Sequence, residues 1–168
     1  MKTKLQGVRV IEIPPFRAVS SGQRTWDELF GEGSSFDQWI GAHQQLIKNV
    51  APYDAADFLL HEEDDINQSV WIWAVKDGVT EADVAPYELI EYEGGMFAVA
   101  TADENDEKDL NKVVSGMLEW IKKSGVFERD ERPGHRGMGH MVGCGAIQKA
   151  LGIAQQEIFL PVKLKEAK

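Results

Sequence analysis

The chain has 168 residues, of which 43% are hydrophobic and 27% charged, a composition typical of one globular domain or of two small halves that share a core. Its 28 acidic and 18 basic residues give a net charge of −10. The basic residues are scattered, so we expect no direct binding of nucleic acid, and a cationic or neutral ligand suits this charge better than an anionic one.

The sequence also limits location and chemistry. Its apolar runs fall short of the roughly 18 residues that a membrane span needs, and the first 15 residues make a poor signal peptide. Cys144 is the only cysteine, which excludes an intramolecular disulfide and favours a cytoplasmic protein. The spacings typical of metal sites and phosphate-binding loops are missing, so we expect no metal and no cofactor.

The first half of the chain predicts strands around one helix. Two strands, 8–13 and 16–21, meet at Pro14-Pro15, which marks an edge, a bend or a bulge. The stretch "WDELFGEGSS" is interpreted as a loop or short turn, after which Ser34 or Ser35 caps a helix whose apolar positions run from Phe36 to Val50. Two more strands follow, "DFLLHEE" and "SVWIWAVKDG", separated by the acidic loop "DDINQ".

The second half repeats this order. A long strand, 87–102, is broken at Gly94-Gly95. The acidic run "DENDEKD" then precedes a helix with apolar positions from Leu110 to Ile121, and Gly125 is its predicted end. A glycine-rich strand, a short helix or turn and a final strand follow, with the sequences "HRGMGHMVG", "GAIQKALG" and "QEIFLPVK".

The openings of the two halves indicate a duplication. "IEIPPFRAV" aligns with "IEYEGGMFAV", so that the proline pair matches the glycine pair. We therefore predict an α+β fold of two strand-helix-strand-strand units, about 5–77 and 86–164, joined near Gly78 to Pro86. The units would form a pseudo-two-fold antiparallel sheet with both helices on one face and a ligand cleft on the other.

Four segments carry a resemblance to a known family. "YELIEYEGGMFAVAT", "EKDLNKVVSGMLEWIKKSG", "HRGMGHMVG" and "QEIFLPVK" resemble the GyrI-like small-molecule-binding domains, which are related to the effector-binding domains of AraC- and MerR-type regulators. The most specific part is the last strand, with its pattern of acid, apolar, aromatic, apolar and proline. Because no helix-turn-helix flanks these segments, we expect a stand-alone member.

The resemblance implies three functions. The leading hypothesis is a cytoplasmic protein that binds amphipathic, cationic or planar aromatic molecules. The first alternative is a cofactor-free hydrolase that opens the strained cyclopropane ring of DNA-alkylating natural products. The second alternative is a modulator that interacts with DNA gyrase. The sequence leaves the ligand and the oligomeric state open.

Glu157 is the principal candidate for the site. In the family, the glutamate of the last strand points into an aromatic-lined pocket and attracts cationic compounds, and Phe159 occupies a position where tyrosine is common. Glu157 should share a face with Phe159 and Pro161, while Ile158 and Leu160 face the helices. Burial on an apolar wall would destabilise the ionised carboxylate, and a bound cation would offset that cost. In a hydrolase, Glu157 would be the general base.

Trp71 and Trp73 should stand side by side on one face of their strand. A shift of one residue in strand register moves both from the helix-facing side to the cleft. We favour the cleft, because two indoles are too bulky to pack easily beneath short helices and because aromatic walls suit a flat or cationic ligand. Core packing is the alternative.

Two further residues complete the predicted ligand site. Trp26 precedes the first helix and could close over the cleft as a lid, or it could pack in the core or on the surface. His140 lies in "GMGHMVG" and has either a structural role or a place in the pocket. Trp39 and Trp120 fall on the apolar faces of their helices and are interpreted as core.

Overall fold

The computed structural model describes residues 7–48, 57–61, 67–142 and 145–166. It is an α+β protein with antiparallel strand pairing, as predicted. The predicted helix position Val50 and the single Cys144 lie outside the described residues. The strands of the described residues are β1 Arg9–Ile13, β2 Phe16–Thr25, β3 Asp57–His61, β4 Gln68–Ala74, β5 Glu88–Tyr92, β6 Gly95–Asp103, β7 Phe127–Arg129, β8 Met138–Met141 and β9 Gln155–Leu164. The helices are α1 Trp26–Phe30, α2 Ser35–Ala42, α3 Glu81–Val84, α4 Glu107–Ser124 and α5 Gly145–Leu151.

The chain divides into two compact units. The continuous unit is Pro14–Gly94, and the split unit combines Met1–Ile13 with Gly95–Lys168. In the continuous unit the strand order is β3-β4-β2-β5, and in the split unit it is β1-β6-β9-β8, with β7 also paired to β9. The chain passes from one unit to the other at the two predicted breaks, Pro14-Pro15 and Gly94-Gly95. As a result, β1 pairs with β6 and β5 pairs with β2.

The core of the continuous unit lies between its strands and the helices α1 and α2. Leu29 of α1 and Phe36 of α2 are fully or almost fully buried against Val19 of β2. The prediction of a loop or short turn over "WDELF" was wrong, because these residues form α1. The helix is set by a capping box: the Thr25 side chain accepts from the Glu28 backbone N–H, and the Glu28 carboxylate accepts from the Thr25 backbone N–H.

The core of the split unit lies between α4 and the strands β6 and β9. Alternate residues of β6 (Ala98, Ala100 and Ala102) are small and buried, which lets α4 approach the sheet closely. The acidic run before α4 supplies its cap, since the Asp106 side chain accepts from the backbone N–H groups of Lys108 and Asp109. The predicted end at Gly125 is confirmed, with φ at +71°.

None of the described helices is both long enough and apolar enough to cross a membrane. Among the described residues, no group of three or more His, Cys, Asp or Glu side chains is placed to hold a metal ion.

Candidate functional site

The last strand, β9, presents Glu157 on the face of the split unit that is turned away from α4. Ile158, Leu160 and Val162 of the same strand pack with the α4 core. Because successive strand residues point to opposite faces, Glu157 and Phe159 lie on the other face. The predicted alternation along β9 is therefore confirmed. The Glu157 side chain keeps only 19% of its surface exposed.

The floor around Glu157 is apolar and aromatic. Val99 of β6 and Met138 of β8 both lie directly opposite Phe159 in the strand register, and directly opposite residues share a face. All three are at most 3% exposed. The ring of Phe97, also on β6, meets Phe159 edge-on, with 6.0 Å between ring centroids and an interplanar angle of 84°. A carboxylate thus stands beside a layer of buried rings and aliphatic groups.

Two polar residues flank Glu157 in the strand register. His140 of β8 lies directly opposite it on one side, and Thr101 of β6 lies directly opposite it on the other. The predicted site residues Glu157, Phe159 and His140 therefore occupy one face of the split unit. Both flanking side chains can form hydrogen bonds with a group bound beside the carboxylate, and the imidazole of His140 can also transfer a proton.

Glu157 already has a cationic partner. The Nη2 group of Arg9, on β1, donates a hydrogen bond to Oε1 of Glu157 and forms an ion pair with it. The Arg9 side chain is 60% exposed. We did not identify Arg9 from the sequence. The only signal was that Arg9, Ile11 and Ile13 are alternate residues of "VRVIEI" and therefore share one face of the strand.

The segment 130–137 adds a second polar cluster to the split unit. His135 is 5% exposed, and its ring lies 4.7 Å from that of Phe97, centroid to centroid. Its Nε2 is 3.8 Å from Oδ2 of Asp130, which Arg132 approaches to 3.3 Å. A Cβ atom added at Gly95 would lie 2.2 Å from His135 Cε1, so this packing requires a glycine at position 95.

Trp71 and Trp73 lie on the helix-covered face of the continuous unit. The ring centroid of Trp71 is 4.8 Å from Phe30 of α1 and 5.7 Å from Phe36 of α2, and Trp71 is 8% exposed. Trp73 is partly buried against the same core. Our preference for the opposite face was wrong for both residues.

The strand register explains this placement. Trp71 lies opposite Leu59, and Trp73 lies opposite Val19. Leu59 and Val19 both face the helices, so the two indoles do so as well. The bulk of Trp71 is accommodated because Phe30 of α1 meets its ring at a tilt and Phe36 of α2 meets it edge-on.

The remaining predicted tryptophans have different environments. Trp26 is the first residue of α1, is 51% exposed, and stacks at a tilt on Phe30 with 4.5 Å between centroids. A role for it as a lid stays a prediction. Trp39 and Trp120 are partly buried and packed against the cores of their units, in agreement with the sequence interpretation.

A concave surface of the split unit lies apart from Glu157. It has a volume of about 470 Å³ and is formed by Val8, Ala100 and one side of α4, including Lys112, Gly116 and Trp120. It lies on the helix-covered face, whereas Glu157 lies on the other face. It is therefore a separate feature from the predicted ligand site.

Comparison with known proteins gives similarities in structure. No protein-family model matches the chain, and no curated protein matches its sequence. Among solved structures, SAV2435 bound to tetraphenylphosphonium matches with a TM-score of 0.58 and 15% identity over 94% of each chain. The EcmrR C-terminal domain matches with a TM-score of 0.66 and 13% identity, over 94% of this chain and 97% of that one. The chain has the GyrI-like fold.

The GyrI-like fold is also found in a hydrolase from Listeria innocua. That structure matches with a TM-score of 0.63 and 12% identity, over 96% of this chain and 94% of that one. Proteins that share the fold thus include one with a bound lipophilic cation and one described as an enzyme. At 12–15% identity the similarity establishes the fold, and the function has to be inferred from the side chains of the site.

Proposed function

We propose that this protein binds amphipathic small molecules, above all lipophilic cations and planar aromatic compounds, on the Glu157 face of the split unit. The observation that carries the proposal is the position of the Glu157 carboxylate beside the buried rings of Phe97 and Phe159. A lipophilic cation has two needs, a negative charge and an apolar surface, and this face supplies both.

The physical chemistry favours such a ligand. Partial burial weakens the hydration of the carboxylate, so a nearby positive charge gains more there than it would in water. The buried rings of Phe97 and Phe159 keep the surroundings of the carboxylate apolar, which strengthens its attraction for a cation and suits the apolar groups of the ligand. The acidic chain as a whole draws cations toward the surface.

The comparison adds a chemical example of such a ligand. Tetraphenylphosphonium, the compound bound to SAV2435, is a cation whose charge is enclosed by four phenyl rings. It has no hydrogen-bond donor, so any affinity for it has to come from charge and apolar contact. These are the two properties of the Glu157 face, which makes the compound a suitable probe for this protein.

The decisive experiment compares Glu157→Gln with the wild type. The variant keeps the shape of the side chain and removes its charge. We expect the affinity for tetraphenylphosphonium, measured by isothermal titration calorimetry, to fall about tenfold or more, since a charge-assisted contact contributes about 1.5–3 kcal/mol. Affinity for the neutral triphenylphosphine oxide should stay nearly unchanged.

Glu91→Gln is the matched control. Glu91 also faces an arginine, with 3.8 Å between its Oε1 and Nε of Arg17, but it is highly exposed and belongs to the continuous unit. This variant removes the same charge and should bind the cation almost as the wild type does. Equal cation affinity in the wild type and Glu157→Gln, with both folded, would remove Glu157 from the site.

A hydrolase is the second candidate, and the position of His140 opposite Glu157 favours it. Glu157 could take a proton from a water molecule as the water adds to a carbon of a strained, electrophilic ring. The ring bond to that carbon breaks, its electron pair moves to the conjugated carbonyl of the substrate, and a proton from His140 or solvent completes the product. The pairing supplies two groups able to move protons.

Turnover is tested with a substrate that contains a cyclopropane conjugated to a carbonyl. Ring-opened product, with the mass of one added water, is followed by mass spectrometry. If the protein is a hydrolase, Glu157→Gln should lower the rate by roughly 10²–10⁴ and His140→Gln by a smaller factor. Absence of product with the wild type would leave binding as the function. Modulation of DNA gyrase stays a prediction from the family resemblance.

A further inference from the structure

We propose that Arg9 is an internal counter-cation, which occupies Glu157 in the unliganded protein and which a ligand cation has to displace. Arg9 would thereby set how strongly the site discriminates cations from neutral molecules. This inference rests on the proposed function of Glu157 as the cation-binding group.

The geometry shows how Arg9 reaches the carboxylate. Arg9 lies opposite Val99, and Val99 lies opposite Phe159, so the three residues form a row across β1, β6 and β9. Glu157 is two positions before Phe159 on the same face of β9. The guanidinium therefore extends over β6 to the neighbouring position on β9, where Nη2 donates to Oε1 of Glu157.

The exposure of the two partners makes the pair suited to exchange. Glu157 is 19% exposed and Arg9 is 60% exposed, so the carboxylate lies on the floor and the arginine comes from the solvent side. Arginine keeps its charge at every physiological pH, which means that only another cation or a conformational change can release Glu157. Ion pairs with an exposed partner are weak because water screens them and because the long side chain loses freedom.

The consequence concerns specificity. With Arg9 in place, the carboxylate is neutralised and the face presents an apolar floor beside a satisfied ion pair. A neutral ligand does not need the carboxylate, so it can bind beside Glu157 and leave the pair intact. A cation can contact the carboxylate only after Arg9 has left it. The apparent affinity for the cation is therefore the intrinsic affinity multiplied by the fraction of molecules in which the pair is open.

The test measures tetraphenylphosphonium binding by the wild type, Arg9→Gln, Glu157→Gln and the double variant. We expect Arg9→Gln to bind the cation about two- to fivefold more tightly than the wild type, because an exposed ion pair shifts an equilibrium by about this factor. Binding of triphenylphosphine oxide should stay the same. In the Glu157→Gln background, Arg9→Gln should have a clearly smaller effect on cation affinity, because no carboxylate remains for Arg9 to occupy.

Two control variants separate displacement from a general change of charge. Lys123→Gln removes one positive charge from α4 in the same unit, where Lys123 pairs with Glu119, and should leave cation affinity nearly unchanged. Arg9→Lys keeps the charge and should behave much as the wild type does. If Lys123→Gln strengthens binding as much as Arg9→Gln does, the effect is long-range and the proposal is wrong.

A measurement without ligand tests the ion pair itself. The melting temperature of the double variant should fall by clearly less than the sum of the falls of the two single variants, because each single change already breaks the pair. Additive shifts would show that Arg9 and Glu157 are not coupled and would overturn the inference.

The remaining outcomes distinguish this inference from the proposed function. If the wild type binds the cation through Glu157 and Arg9→Gln binds it no more tightly, Arg9 is not a competitor and the proposed function stands. If neither the wild type nor Arg9→Gln binds tetraphenylphosphonium, both the cation site and the role of Arg9 in it are overturned.

Discussion

The indole N–H of Trp71 donates a hydrogen bond to Oδ2 of Asp57, with 2.9 Å between the nitrogen and the oxygen. Asp57 lies two positions before Leu59, the direct partner of Trp71 on β3, so the bond runs diagonally between the two strands. This hydrogen bond gives the N–H group of the buried indole an acceptor at the border of the core. Trp71 is therefore a structural residue of the continuous unit.

Replacement of Trp71 should affect stability first. We expect Trp71→Ala to lower the free energy of unfolding by about 3–5 kcal/mol, because it removes a large ring from a packed core and leaves a cavity. Trp71→Phe keeps much of the volume and loses the hydrogen bond to a carboxylate, for which we expect a loss of about 1.5–3 kcal/mol. Urea denaturation, followed by far-ultraviolet circular dichroism, measures both.

Trp26→Ala is the control for this series, because Trp26 is 51% exposed. This substitution should lower the free energy of unfolding by no more than about 1 kcal/mol. Binding of tetraphenylphosphonium to folded Trp71→Phe provides the second measurement, and we expect it to match the wild type. A variant with full stability and weakened binding would return Trp71 to the ligand site as the sequence first suggested.

Gly95→Ala should destabilise the split unit. The φ angle of Gly95 is +147°, which side chains rarely adopt, and the new methyl group would overlap the buried ring of His135. We expect a loss of about 2–4 kcal/mol in the free energy of unfolding. Gly78→Ala tests the backbone effect alone, because Gly78 has φ at +87° and open space where a Cβ would be placed.

The overlap with His135 can be isolated by a second change. In a His135→Ala background, Gly95→Ala should lose much of its extra cost relative to Gly78→Ala, since the ring that the methyl group meets is gone. If Gly95→Ala costs no more than Gly78→Ala in the wild-type background, the packing of segment 130–137 on Gly95 is not as the structure has it.

Glu104 should make stability depend on pH. Burial, with a smaller contribution from the charge of Asp103, raises the pKa of the Glu104 carboxyl above its ordinary value of 4.5. The folded state therefore holds this proton more tightly than the unfolded chain, and stability falls as pH rises through the interval above 4.5. Glu104→Gln should raise the melting temperature at pH 7 by about one to three degrees, with the difference shrinking toward pH 4.5.

Glu28→Gln should show the opposite pH dependence. Hydrogen bonds from the backbone and side chain of Thr25 lower the pKa of Glu28, so its ionised form supports the fold above the ordinary value and this support is lost as pH falls. The variant should be less stable than the wild type at pH 7, and the difference should diminish in acid. Melting curves from pH 3 to pH 8 measure both variants, and equal pH profiles would contradict both assignments.

Local patterns made several features predictable from the sequence. The alternation of side chains along a strand follows from backbone geometry, so the face shared by Glu157 and Phe159, opposite Ile158, could be predicted without knowledge of the neighbouring strands. Asp106 and Gly125 mark the two ends of α4 because they meet the needs of unpaired backbone groups within a few residues. The matching breaks at Pro14-Pro15 and Gly94-Gly95 were also predictable, because proline and glycine interrupt a strand through their own backbone properties.

Only the tertiary structure decided how these elements combine. The face taken by Trp71 depends on strand register, and one residue of shift reverses it at no cost to the local pattern. The pairing of β1 with β6, and of Arg9 with Glu157 across 148 positions of the chain, depends on which strands become neighbours. Local preferences carry no information about such distant contacts, because burial and packing of the complete chain select among arrangements that are locally equivalent.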